Sequence, residues 1–457
     1  MSMATIKVTG EIFLIEILRH RNFRHLFLAQ VVALVGTGLA TVALALLAYD
    51  LAGDRAGAVL GTALAIKMAV YVVISPLAGA LVTPRHRKRV LVVFDLIRVV
   101  MVLALPFVTE IWQVYLLIAL LQTASAGFTP LFQSVIPEIL TDERDYTRAL
   151  SLSRLAYDLE SLLSPALAAV LLMVISFHGL FAGTAVGFVL SALLVLGSTL
   201  PEPITVRAND TPYARALRGM RIYLHTPRLR ALLALNLVAA AGGAMVFVNT
   251  IVIMRSTMGG SEQDVAWALA AFGGGSMLAA VLLPGLLDRQ HDRRIMLSAG
   301  MVMVLGLAAT AAVWLFQHWN WWVLAIAWIV LGIAYAGLIT PGGRLLRRSA
   351  SSADLPLLFA AQFSLVHAGW MVAYPLAGWL GEAAGFGTAL IALCALAALG
   401  LVAAWLAWPA EDPVVLAHRH DDLPADHPHL LEHFADADAL RHAHPYTIDD
   451  LHPRWPA

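Results

Sequence analysis

The sequence predicts an all-α polytopic membrane protein, with twelve transmembrane helices in two six-helix pseudo-repeats. Three observations predict it. Of 457 residues, 60% are hydrophobic and 13% charged, and the mean hydropathy is +0.77, which is more apolar surface than a soluble chain of this length buries. The apolar residues gather in runs of about 20, the length a helix needs to cross a ~30 Å hydrocarbon layer. Lys and Arg are confined almost entirely to alternate loops.

In chain order, residues 1–25 form a polar arm with Lys7, Glu11, Glu16, Arg19, Arg21 and Arg24 and no signal-peptide cleavage pattern. The spans are expected at 26–50, 57–82, 90–108, 112–135, 155–176 and 179–200, then 230–254, 264–287, 295–316, 321–343, 357–380 and 386–408. They make a first bundle over 26–200 and a second over 230–408. A basic linker, 201–229, separates them, with an interfacial helix expected over Ala214 to Tyr223. Residues 409–457 form a His/Asp-rich tail.

Basic residues fall at Arg19–Arg24, Arg85–Arg89, Arg144–Arg154, Arg207–Arg230, Arg289–Arg294 and Arg344–Arg348, the N-terminus and every even-numbered loop. The odd loops hold only Arg55 and Arg255. The positive-inside rule then puts both termini in the cytosol of a multi-pass inner-membrane protein. Trp112, Trp314, Trp319, Trp321, Trp322 and Trp379 fall at outer ends and Trp405 and Trp408 at an inner end, the distribution of an aromatic belt.

The halves repeat each other at an offset of about 205–211. Phe23-Arg24 and Gln30 match Leu229-Arg230 and Asn236. Leu81 to Arg89 matches Leu286 to Arg294, Gly127-Phe128-Thr129-Pro130 resembles Gly337-Leu338-Ile339-Thr340-Pro341, and Pro165 matches Pro375. Two parallel repeats of this kind place a solute site at their interface near the midplane.

On these residues the chain resembles the major facilitator superfamily. Its loop signature, Gly-x-Leu-x-Asp-Arg-x-Gly-Arg-Arg, is similar to Gly79-Ala80-Leu81-Val82-Thr83-Pro84-Arg85-His86-Arg87-Lys88, where Thr83 and Pro84 replace Asp-Arg. The second copy, Pro284-Gly285-Leu286-Leu287-Asp288-Arg289-Gln290-His291-Asp292-Arg293, keeps Asp-Arg. The resemblance implies a gating loop of Gly79, Arg85, Arg87, Lys88, Arg89, Asp95 and Arg98, repeated by Asp288, Arg289 and Arg293. Asp95 through Pro106 and Ala126 to Pro130 are similar to a branch of macrolide, enterobactin and nickel-resistance exporters. In the fifth span, Ser164-Pro165-Ala166-Leu167-Ala168-Ala169 is a degenerate form of the antiporter pattern Gly-Pro-x-x-Gly-Gly, which keeps the small residues that allow close helix approach. What this implies is a secondary exporter of a small solute, coupled to proton antiport and acting as a monomer.

Ionisable groups at membrane depth are costly and mark function by default. Lys67 lies roughly 15 Å along its helix from the outer end, as a substrate contact, a coupling charge or a snorkelling amine. Asp158 and Glu160 open the fifth span on opposite faces, as proton carriers or interfacial partners of Arg148 and Arg154. His367, roughly 22 Å along the helix from Glu382, titrates in the range that suits proton coupling; a buried, hydrogen-bonded ring is the alternative. Asp95 and Arg98, three apart on one face, are expected to pair with each other and with the Arg85–Arg89 loop. Gln30, Asn236 and Asn249 offer uncharged hydrogen bonds to a cavity or to a neighbouring helix.

Eight of the sixteen histidines lie in the tail: His418, His420, His427, His429, His433, His442, His444 and His452, alternating with aspartates. Imidazole with carboxylate suits Ni²⁺, Zn²⁺, Cu²⁺ or Co²⁺. No zinc-finger spacing is present, so a flexible chain wrapping an ion is expected, or a segment docked through Pro453-Arg454-Trp455-Pro456. Zero formal net charge gives no field for nucleic acid, and one cysteine, Cys394, excludes disulfides within the chain. No nucleotide loop, triad or carboxylate pair appears, so no enzyme chemistry and no resident cofactor is expected. The expected partners are the lipid bilayer and a small-molecule or metal-ion substrate. The alternative functions are divalent-metal export, import, or reception without transport.

Overall fold

In hydrocarbon a span must satisfy its own backbone polar groups, so long apolar runs fold as helices. The computed structural model describes residues 16–81, 86–140, 166–200, 212–287, 289–316, 319–350, 354–413, 415–419 and 441–449. It also describes 142, 145, 149, 152, 153, 156, 164, 451, 452 and 455. In the first half the helices are α1 (Arg21–Ala52), α2 (Ala56–Leu81), α3 (Arg87–Ala104), α4 (Ile111–Ile139) and α5 (Phe177–Gly197). A linker helix α6 (Pro212–His225) follows. The second half holds α7 (Pro227–Val252), α8 (Glu262–Leu287), α9 (Asp292–Leu315), α10 (Trp321–Ile339), the short α11 (Gly342–Arg347), α12 (Leu355–Ala384) and α13 (Phe386–Ala407).

Ten segments among the described residues are long and apolar enough to span a bilayer, and the first, Arg21–Ile74, runs through both α1 and α2. The chain reverses between them at Gly53, whose φ of 55° a side chain rarely adopts. The fifth expected span, 155–176, lies mostly outside the described residues; 166–171 is helical. The tenth ends earlier than expected, at Ile339, because Pro341 cannot continue it and α11 starts afresh.

The same pairings recur in each half. α1 packs on α5 as α7 does on α13, α2 on α4 as α8 on α10, and α3 on both α4 and α5 as α9 on α10 and α13. Gly127 on α4 meets Phe94 of α3, and Gly337 on α10 meets Ala299 of α9. The linker helix lies against α12: Arg218 Nε is 2.9 Å from Asp354 Oδ1, and the Tyr223 hydroxyl donates to Gln362 Oε1. Trp112 and Trp322 are 61% and 73% exposed at helix ends, as belt residues are.

Trp408 departs from the belt and is 2% exposed. Its ring N–H donates to Asp412 Oδ2 at 3.3 Å, and its carbonyl accepts from Arg293 Nε at 3.2 Å. It belongs to a polar network at the end of the second half. There Asp412 pairs with Arg228 at 3.0 Å and Arg348 at 3.7 Å, and Asp292 with Arg348 at 3.1 Å and Arg344 at 3.5 Å.

To the helical body the tail adds an antiparallel strand pair, β1 (Val415–Arg419) and β2 (Arg441–Pro445). Tyr446 and Ile448 are 5% and 2% exposed in the main core, and the Arg228 guanidinium lies over the Trp455 ring at 5.0 Å. The expectation of a flexible chain is therefore corrected for these segments. An apolar Tyr-Ile-Trp set and the Asp412 carboxylate give the tail a docking face.

Candidate functional site

The two halves meet along α2 and α12. Call the face that carries the Gly53 turn the outer face. On its outer side α2 is buried from Ala56 to Leu64, apart from a partly exposed Thr62. From Ala65 to Ile74 every residue but Met68 is partly or fully exposed. Such a gradient marks two helices zipped at one end and parted at the other.

The zip is built from small residues. A Cβ at Gly61 would stand 2.7 Å from the Tyr374 carbonyl and 3.2 Å from Gly378 Cα, and one at Gly378 would collide with the Gly57 carbonyl. Backbone approaches backbone here because nothing projects between them. Polar contacts reinforce it: Trp379 Nε1 donates to Thr62 Oγ1 at 2.7 Å, Arg55 pairs with Glu382, and Gln263 Nε2 donates to the Leu172 carbonyl at 2.7 Å. Arg255 lies 5.2 Å over the Tyr49 ring. At the inner side the first half closes on its own core of Phe23, Leu26, Leu91, Phe128 and Phe132. Ala279, Leu283, Leu287 and Ile295 form a separate one in the second half. Among the described residues the halves thus touch at the outer side and part inward.

Where the zip ends, two groups singled out separately in the sequence meet. Lys67 and Tyr71 are one turn apart on α2, and Phe363 and His367 one turn apart on α12. The Tyr71 and His367 rings stack at 5.1 Å, and Tyr71 and Phe363 lie 5.7 Å apart. His367 Nδ1 donates to the Phe363 carbonyl at 2.6 Å, which fixes the tautomer and leaves Nε2 as the proton-accepting nitrogen. The Lys67 ammonium lies within electrostatic reach of the ring. Behind this quartet the second half presents an aromatic wall: Trp370 lies 5.0 Å from Tyr374, 6.1 Å from Phe247 and 6.3 Å from Tyr335, and Phe272 lies 5.4 Å from Tyr335. Sequence reasoning missed the wall. Aromatics are common in spans, and only the pairing of α7, α8, α10 and α12 brings these together.

The remaining candidates separate from this site. Asp95 and Arg98 form a buried ion pair; the second Asp95 oxygen accepts from Ser191 Oγ at 2.9 Å, and the guanidinium lies 4.3 Å over Phe128 and 4.5 Å over Phe188. All these partners belong to the first half. Ser191 of α5 is a partner of Asp95 that the sequence did not point to. Lys88 donates to the Ser198 carbonyl at 2.6 Å, and Arg87 and Arg89 sit in the first turn of α3. Arg289 lies in the turn before α9. Arg85, Asp158, Glu160 and Asp288 lie outside the described residues, as does the side-chain environment of Gly79. Asn236 donates to the Leu232 carbonyl at 2.8 Å and Asn249 to the Ala377 carbonyl at 3.2 Å, bonds within and between helices.

In the tail, His418, His444 and His452 come together; His420, His427, His429 and His433 lie outside the described residues, as does the side chain of His442. Burial and Asp449 push the Tyr446 phenol beside them up to about 12. Burial alone would raise the Asp449 carboxyl, but the His452 ring and the His452 and Leu451 amides hold it below the usual carboxylate value.

The profile of the Major Facilitator Superfamily matches residues 26–250 and 232–432, one copy on each half. The chain is 27% identical over 249 residues to an uncharacterized MFS-type transporter, YfiS, of Bacillus subtilis (strain 168), covering 53% of this chain and 58% of that protein. It is 23% identical over 296 residues to macrolide efflux protein A of Enterococcus faecalis, covering 62% of this chain and 90% of that one. The fold is similar to the nucleoside transporter NupG (TM-score 0.66, 15% identity, 84% of this chain and 100% of that one). It is also similar to a D-xylose-proton symporter (TM-score 0.62, 14% identity, 87% and 97%). Two copies of one helical pairing, a site where they part and a family profile laid over both halves agree: this chain belongs to the Major Facilitator Superfamily of membrane transporters.

Proposed function

We propose that the chain exports a small organic solute with apolar or aromatic surface from the cytosol across the cytoplasmic membrane, in exchange for protons. The observation that carries this reading is the cleft itself, zipped at the outer end of α2 and α12 and parted inward at Lys67, Tyr71, Phe363 and His367. An aromatic wall takes up flat apolar groups by stacking and burial. Lys67 supplies one cation for an acceptor or anionic group of the solute, and repels a metal ion as cargo. His367, with Nδ1 engaged and Nε2 aimed elsewhere, is the described group suited to carry a proton; Asp158 and Glu160 are further candidates. Rocking of the halves about the α2–α12 contact exposes the cleft to each side in turn. The basic even-numbered loops support cytosolic termini and an inner-membrane location, and likeness to macrolide efflux protein A supports the outward direction.

The test is efflux from cells lacking the chromosomal gene, screened against macrolides, other aromatic antibiotics and divalent metals. The wild-type gene is expected to restore resistance to an organic compound, and a protonophore to abolish it. Lys67→Met and His367→Gln, each present in the membrane at wild-type level, are expected to lower the efflux rate at least 10-fold. Unchanged efflux by both variants would sink the assignment of the cleft. Resistance to metals alone would replace the organic solute with a metal.

A further inference from the structure

Outside the membrane-spanning helices the tail gathers three histidines from three segments. The strand register pairs Leu416 with His444 and His418 with His442, which sets His418 and His444 diagonally on one face of the ribbon. After β2 the chain turns back at Asp449, whose Oδ1 accepts from the amides of Leu451 at 2.9 Å and His452 at 2.7 Å. That turn delivers His452 to the same point. One ring nitrogen from each of the three lies within 4.8 Å of the others, and His444 and His452 are 7% and 2% exposed.

Their hydrogen bonds decide which nitrogens face inward. His418 Nδ1 lies 3.0 Å from the Leu416 carbonyl oxygen, which can only accept, so this nitrogen carries the hydrogen. His452 Nδ1 lies 2.8 Å from Asp449 Oδ1 and donates in the same way. Each neutral ring therefore carries its lone pair at Nε2, and the two Nε2 atoms stand 3.0 Å apart. Two lone pairs at that distance repel, and a cation shared between them removes the repulsion. A shared proton would serve two rings. A metal ion serves three, and the third ring is there: His444 lies 4.7 Å from His418 and 5.0 Å from His452, centroid to centroid. Metal-bound imidazoles hold their ions at about 2.0–2.1 Å, so ligand nitrogens about 3.0–3.4 Å apart fit, and small ring rotations reach this from the observed spacing. The Asp449–His452 pair is the outer-shell contact that orients a ligating imidazole and raises its basicity.

We propose that His418, His444 and His452 form a site for one divalent transition-metal ion of the zinc, nickel or cobalt class, with Asp449 positioning His452. Neutral imidazole nitrogens suit these ions, and three of them leave coordination positions open to water or a further tail group. The site is independent of transport through the cleft, which lies in the membrane helices.

The experiment titrates Co²⁺, then Zn²⁺, into the full-length protein in detergent, purified without a polyhistidine tag, and follows cobalt absorbance and heat. One ion per chain is expected to bind tightly. His444→Ala and His452→Ala are each expected to weaken that binding at least 100-fold, and Asp449→Asn roughly 10–100-fold. His427→Ala/His429→Ala/His433→Ala is expected to leave it intact. Since an alanine variant could act by loosening the tail, His444→Cys is the second probe. It is expected to retain cobalt and to add a sulfur-to-cobalt charge-transfer band, which only direct coordination produces. Absence of binding by the wild-type protein, loss of the tight site in the triple variant alone, or a His444→Cys protein without the band would each overturn the proposal.

Discussion

Arg98 is held within the first half by a carboxylate at Asp95 and two aromatic faces at Phe128 and Phe188. Removing it strands a carboxylate that is 0% exposed. Breaking such a buried pair from one side costs roughly 3–5 kcal/mol, whereas replacing both partners is often close to neutral. Arg98→Met is therefore expected to destabilise the folded protein by about that amount in detergent unfolding, and Asp95→Asn/Arg98→Met to recover most of it. A double variant as unstable as the single one would mean the pair does more than neutralise itself. The pairing of Asp95 with Arg98 was legible, because three residues on a helix share a face. Ser191 was not, since a contact between α3 and α5 depends on how the bundle closes. Lys67 and His367 stood out because charge is rare at membrane depth, but nothing local said they would meet.

The α2–α12 zip turns on two glycine carbonyl approaches. Valine at Gly378 inserts a branched side chain against the Gly57 backbone, and overpacking of this kind costs about 1–3 kcal/mol. That cost falls only on arrangements in which the outer ends touch. Gly378→Val is thus expected to shift the population toward the outward-open form by roughly 5- to 150-fold. Cysteine labelling at position 67 from the outside, in a Cys394→Ala background, should accelerate accordingly. Equal labelling rates in variant and parent would show that the outer ends separate without reference to this contact. The described helices were legible to within a few residues because membrane thickness sets their length. The end of α10 was missed because the apolar run continues through a proline that the helix cannot.

Across the whole molecule, the described segments of the tail pack on the second half through Tyr446, Ile448 and Trp455. Truncation after Pro413 keeps Asp412 and its arginines but strips Tyr446, Ile448 and Trp455 from the second half. The truncated protein is expected to unfold at lower temperature, to lose the tight metal site and to keep its efflux rate within about 2-fold. Loss of efflux at normal expression would place the tail inside the transport cycle. The tail's composition was plain in the sequence. Its fold was not, because β1 and β2 lie more than twenty residues apart and docking depends on Arg228, which reads in the sequence as one basic residue among many.

The arginines that pair with Asp412 of the tail, Arg228 and Arg348, belong to the second half. If the halves rock as proposed, the described segments of the tail are carried with the second half and swing relative to the first. It is a pointer fixed to one side of a hinge. A dye on the tail and a second on the inner end of α3 would read the angle of that hinge during turnover, with the cleft left untouched.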